Sequence, residues 1–98
     1  MFLKIHEGSG TKVVAVCDED LIGRVLEGEG VFMDLDRYRG FYIGEKAGPD
    51  EVKRALAGFG SANVVGKESV GVVLKMGLAR RVDVMYIKQT PYIQIYKL

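Results

Sequence analysis

The alternation of apolar and polar positions divides this chain into strands and helices before any other property is needed. "FLKIHE" (2–7) and "KVVAVC" (12–17) are β-rich runs, and "GSGT" between them carries two glycines able to take the positive φ angles of a hairpin loop. In the second run Val14 and Val16 share one face while Val13, Ala15 and Cys17 share the other, which predicts a strand at the centre of a sheet. "DEDLIGRVL" then predicts a short helix, with Asp18 as its cap and Glu19 and Asp20 in the first turn, where carboxylates suit the positive end of the helix dipole.

"VFMDLD" alternates again, Val31, Met33 and Leu35 inward and Phe32, Asp34 and Asp36 outward. With "GFYIGE" it predicts a second hairpin around "RYRG". "GPDEVKRALAGFG" predicts a helix that opens at Pro49, holds Asp50 and Glu51 in its first turn, buries Val52, Ala55, Leu56 and Phe59, and stops near Gly58. A further helix is expected over 67–77, where Val70, Val73, Leu74 and Gly77 fall at i, i+3, i+4 and i+7. Gly71 inside it lowers helix propensity by about 1 kcal/mol relative to alanine, unless it lets another element come close. "RVDVMYIK" and "YIQIYKL" alternate on either side of "QTP" and predict a closing hairpin that runs to the last residue.

Strand pairs with helices inserted between them do not make the repeating strand-helix-strand series of a doubly wound parallel sheet. The expected fold class is α+β: a mainly antiparallel sheet built from three hairpins, with a short helix and two longer helices packed on one face. Ninety-eight residues, 48% of them apolar, suit a single domain over 1–98 with one core. One cysteine, Cys17, and one histidine, His6, leave no internal disulfide and too few soft ligands for structural zinc. Cys17 reads as a buried small hydrophobe. The start lacks the apolar run of a secretory signal and no segment is long enough to span a bilayer, so a cytoplasmic protein without membrane contact is expected.

Charge changes the picture only in its distribution. Residues 1–66 carry eight Lys/Arg and eleven Asp/Glu, and residues 67–98 carry six and two, so net charges of −3 and +4 add to the overall +1. The basic C-terminal third, with Lys75, Arg80, Arg81 and Lys88, points to an anionic partner. "RYRGFY" (37–42) mixes Arg37, Arg39, Tyr38 and further aromatics, the chemistry that stacks on bases while pairing with phosphates. Arg39, Gly40 and Phe41 fit the start of an RNA-recognition signature; Tyr42 and Ile43 break it.

"GFGSANVVGKES" (58–69) has the look of a phosphate cradle. A Walker loop requires glycine five residues before Gly66 and a hydroxyl after Lys67; Ser61 and Glu68 occupy those places, and the carboxylate would repel a triphosphate. No nucleotide and no cofactor are expected. The stretch reads instead as a helix-to-helix connection, a backbone turn fixed by Asn63 and Gly66.

"AVCDEDLIGR", "FYIGE", "SANVVGKESV" and "PYIQI", in this order, resemble a small archaeal family catalogued as domain of unknown function number four hundred and twenty-four. The likeness rests on Cys17, Asp18 and Glu19 with Leu21 and Gly23; on Phe41, Tyr42, Gly44 and Glu45; and on Ala62, Asn63, Val65 and Gly66. Tyr92 departs from the family pattern, in which many members carry histidine. The resemblance implies an archaeal cytoplasmic protein with no assigned activity, cofactor or catalytic residues.

Three readings follow. The first is a non-enzymatic binding module that contacts RNA or a ribonucleoprotein through Arg37, Tyr38, Arg39, Lys75, Arg80, Arg81 and Lys88. The second is a protein-interaction or homo-oligomeric module whose edge strands, the C-terminal one among them, pair with a partner. The third is a small metal-dependent enzyme, which requires Asp18, Asp20, Asp34 or Asp36 to converge.

Overall fold

The strand with apolar residues on both faces becomes one of two strands at the heart of the main sheet. In the computed structural model, which describes residues 1–8 and 10–96, β1 (Phe2–Gly8) and β2 (Thr11–Cys17) form the N-terminal antiparallel hairpin, with Phe2 opposite Cys17 and Gly8 opposite Thr11. After a 3-10 turn at Glu19–Leu21, β3 (Val25–Gly28) and β4 (Val31–Asp34) form a separate two-stranded ribbon. One helical turn, α1 (Arg39–Tyr42), leads to the short β5 (Glu45–Lys46), helix α2 (Pro49–Ala55), strand β6 (Ser61–Val65) and helix α3 (Lys67–Lys75). A 3-10 turn at Arg81–Asp83 precedes the closing hairpin of β7 (Met85–Ile87) and β8 (Thr90–Tyr96). Lys97 and Leu98, onto which that hairpin was expected to continue, and Ser9 of the first loop lie outside the described residues.

The six-stranded sheet runs in the order β5-β1-β2-β6-β8-β7, antiparallel throughout except for the parallel β2–β6 pair. The class is α+β with a mostly antiparallel sheet. The hairpin expected between 31–36 and 40–45 is replaced by β3–β4, because Glu29 at φ 49° and Gly30 at φ 80° turn the chain there and "RYRG" begins a helical turn. Residues 61–65, expected inside a helix-to-helix connection, are the central strand β6, so Asn63 sits mid-strand between Ala15 and Gln94.

Both sheet faces are covered, not one. Val14, Val16, Ala62, Val64 and Ile93 meet Val52, Leu56, Val70 and Val73 of α2 and α3 on the first face. On the second, Ala15, Cys17 and Val65 meet Leu21, Leu35 and Tyr42. The split follows the period of two along β2 and β6. No helix among the described residues is long and apolar enough to cross a membrane.

Gly71 explains itself poorly as a packing residue: a methyl group added there would meet nothing within 4 Å. Gly66 is the opposite case, with φ 111° and an added Cβ running into the Asp18 carboxyl group. Gly71→Ala is therefore expected to raise stability by about 1 kcal/mol, or about 4–8 °C in melting temperature. Gly66→Ala is expected to lower it by about 3 kcal/mol, from the strained backbone and the displaced carboxylate. Urea and thermal unfolding check both signs.

Candidate functional site

The resemblance in two distant stretches comes together at one carboxylate. Asp18 continues from β2, and its backbone N–H donates to Val65 O at 3.1 Å, prolonging the β2–β6 pairing. Its side chain does not cap the adjacent turn 19–21; it reaches the start of α3 instead. There Oδ1 accepts from Ser69 N (2.8 Å) and Ser69 Oγ (2.6 Å), and Oδ2 accepts from Glu68 N (3.1 Å). Gly66 N donates to Pro91 O at 2.8 Å, which ties β8 into the same knot. Asp18 and Ser69 are both buried.

These amides are the free donors that every helix N-terminus presents, and the dipole there favours negative charge. An anion would use the same donors. In this chain the protein's own carboxylate holds them, so "GKES" forms a capped helix start and not a phosphate cradle.

Cys17, next to this knot, is fully buried, with Sγ 3.4 Å from Asp18 O. Burial, then the negative charges of Asp18 and Asp20, push its thiol up from 9.0 to about 12. Burial likewise pushes the Tyr42 phenol up from 10.0 to about 12, with a smaller contribution from Cys17. Such a thiol is a poor nucleophile.

The acids considered for a metal do not converge. Asp34 Oδ1 accepts from the backbone N–H of Asp36 (3.1 Å) and Arg37 (2.8 Å), closing the turn after β4. Asp36 pairs with Arg39 at 2.6 Å, and Asp18 is taken by α3. Among the described residues no group of three or more His, Cys, Asp or Glu side chains could hold an ion.

The residues singled out for RNA fall in three places. Arg37, Tyr38 and Arg39 lie at α1, on the sheet face opposite α3. Phe41 is folded onto the sheet, stacked on His6 with centroids 4.5 Å apart, while His6 Nε2 donates to Phe41 O at 2.9 Å. Tyr42 is buried, which leaves Tyr38, with Arg37 over its ring at 5.7 Å, as the solvent-facing aromatic of the motif. Lys75 and Arg81 line a cavity of about 540 Å³ between α3 and the β7–β8 hairpin. Arg80 instead pairs with Asp83 at 3.4 Å, and Lys88 lines a different cleft against β3. Gly23, another residue of the likeness, has φ 88° and donates its N–H to Leu35 O at 3.2 Å, which joins the 3-10 turn to the chain beyond β4.

The cavity also includes residues that the sequence did not single out for RNA. Lys67 and Gly71 join Lys75 on the helix side, and Tyr86 and Gln89 join Arg81 on the hairpin side. The half-buried Leu74 supplies apolar surface, and none of the lining residues is acidic. The signal in the sequence was Gly71, a costly residue inside a helix, and the structure places no neighbour within 4 Å of where its Cβ would be.

A family model described as "Protein of unknown function (DUF424)" matches residues 6–98. The chain belongs to this family. It is also similar to a solved structure titled "Crystal structure of an uncharacterized conserved protein from Methanopyrus kandleri", at 30% identity and a TM-score of 0.82, covering 99% of this chain and 90% of the other. No curated protein matches. In this DUF424 chain, Asp18 and Gly66, which carry the likeness in separate stretches, thus meet at the α3 cap.

The raised acidities set an alkaline limit. The native state holds the Cys17 and Tyr42 protons to about pH 12. The unfolded chain releases them from about pH 9–10. The unfolded state then binds fewer protons, so stability is intact below pH 9 and falls as pH rises toward 12. Urea unfolding from pH 7 to 11 is expected to show this decline, smaller in Cys17→Ala. At pH 8 a thiol reagent is expected to label Cys17 only when denaturant is added.

Proposed function

We propose that the protein is a non-enzymatic binding module whose partner is RNA, held in the cavity between α3 and β7–β8. The observation that carries this reading is a concave surface presenting Lys67, Lys75 and Arg81 with no carboxylate among its lining residues. Surface cations hold counterions, whose release drives association with a polyanion; Lys67 also borders clefts lined by Asp18, Asp20 and Glu68. Tyr86, 60% exposed, offers a ring for stacking in the same place. Lys88 adds charge on the same hairpin, and Arg37 with Tyr38 forms a second, separate contact for a longer RNA. Arg39 and Arg80, each neutralised by an aspartate, add little.

The protein-interaction reading has its own support. The C-terminal strand β8 is internal, between β6 and β7, so the edge belongs to β7. Val82, Met85 and Tyr86 there are 78%, 55% and 60% exposed, an unusual concentration of apolar surface beside an unpaired strand edge.

A labelled RNA oligonucleotide is expected to bind at low salt and weaken steeply as salt rises. Replacing Lys67, Lys75 and Arg81 together by alanine is expected to lower affinity at least about tenfold and to reduce the slope of log affinity against log salt by about 2. Absence of binding at low salt, or a triple variant that binds like the parent, contradicts the RNA reading. The same variant leaves any association through β7 intact, which separates the two.

A further inference from the structure

We infer that the α3/β7–β8 cavity is a subsite for one unpaired nucleotide of single-stranded RNA, its base lying over Gly71 and its flanking phosphates on the lysines. This rests on the RNA reading above and names the form of RNA that the site takes. Gly71 is the first reason. A glycine inside a helix is destabilising, and the usual compensation, close approach of another element, is absent, since nothing lies within 4 Å of where its Cβ would be. What the missing side chain creates is open space, shared between this cavity and a smaller cleft toward α2 that includes Glu68.

The shape and lining are the second reason. About 540 Å³ is the size of a small-ligand site. Gly71 and the half-buried Leu74 lie on one side, and Tyr86 stands on the other with its ring available for stacking. Gln89 places an amide, both donor and acceptor, at the hairpin turn, suited to the hydrogen-bonding edge of a base. A base reaches such a surface only when it is unpaired and splayed out; in an A-form duplex the base faces are stacked on one another.

The cations are the third. Lys67 and Lys75 are the first and last residues of α3, anchored about 12 Å apart at 1.5 Å per residue. Their long flexible side chains reach inward from those anchors, toward the phosphates that flank one nucleotide. Arg81 stands across from them on the approach to β7. The site is distinct from the α3 N-terminal amides of Glu68 and Ser69, which Asp18 occupies.

The test uses the full chain and three probes: a labelled single-stranded RNA 8-mer, the same sequence as a duplex, and adenosine monophosphate as competitor. The single strand is expected to bind about tenfold or more tighter than the duplex. Tyr86→Ala and, independently, Gly71→Leu, which fills the cavity from a helical position, are each expected to lower single-strand affinity and bring it down toward the duplex value. Adenosine monophosphate is expected to compete only at concentrations far above those of the 8-mer. Equal binding of strand and duplex, unaffected by either variant, overturns the nucleotide subsite and leaves the RNA reading standing. Competition by adenosine monophosphate as effective as that of the 8-mer overturns the single-stranded source in favour of a free nucleotide. No binding of either RNA overturns both readings.

Discussion

One buried carboxylate organises this fold. Asp18 leaves the end of a central strand and satisfies the otherwise free donors of a helix that begins about fifty residues later. A charge-assisted hydrogen bond contributes roughly twice what a neutral one does, and a carboxylate buried without such partners would be strongly destabilising. The arrangement therefore works in both directions: α3 needs Asp18 to finish its first turn, and Asp18 needs α3 to be buried at all. Gly66 is the geometric condition, because any side chain there would occupy the space of the carboxyl group. The bond from Gly66 to Pro91 adds β8, so three strands and a helix are registered by a few polar contacts in an otherwise apolar core.

That same contact redirects the functional argument. A helix N-terminus after a glycine-rich stretch invites a phosphate, and here the invitation is already answered from within. The proposed anion site lies instead on the side of α3, where Lys67, Lys75 and Arg81 line the cavity against β7–β8. Other polar groups that could have served chemistry are also spoken for: His6 by the Phe41 carbonyl, Asp34 by its turn, Asp36 by Arg39, and the Cys17 thiol by burial. The cation-lined cleft beside α3 is the surface on which the proposed binding role rests.

Much of the fold was legible from periodicity. The first hairpin, the two-faced character of β2, both longer helices and the closing hairpin follow directly from apolar spacing. Two elements did not. β6 is five residues long and begins Ser-Ala-Asn, so its only local signal was the Val64–Val65 pair bounded by Gly60 and Gly66; its strand character comes from β2 and β8 on either side, a tertiary effect. β3 was hidden because Val25 and Leu26 look like the end of a helix begun at Asp18, and local propensity cannot tell that Asp18 is needed elsewhere. The site was less legible still. The arginines of "RYRGFY" and of the basic C-terminal third drew notice, yet Asp36 pairs with Arg39 and Asp83 with Arg80. Lys67, Tyr86 and Gln89 come together only when α3 packs beside the β7–β8 hairpin.

The claim on which the rest depends is that the α3 start is closed by Asp18. Amide hydrogen exchange at Glu68 and Ser69 tests it most directly. First-turn amides have no intrahelical partner and ordinarily exchange fast. Here both are expected to be protected nearly as well as the amides of β6, and to lose that protection selectively in Asp18→Ala. Exchange at the unprotected rate in the parent protein, or protection that survives loss of the carboxylate, would contradict the account.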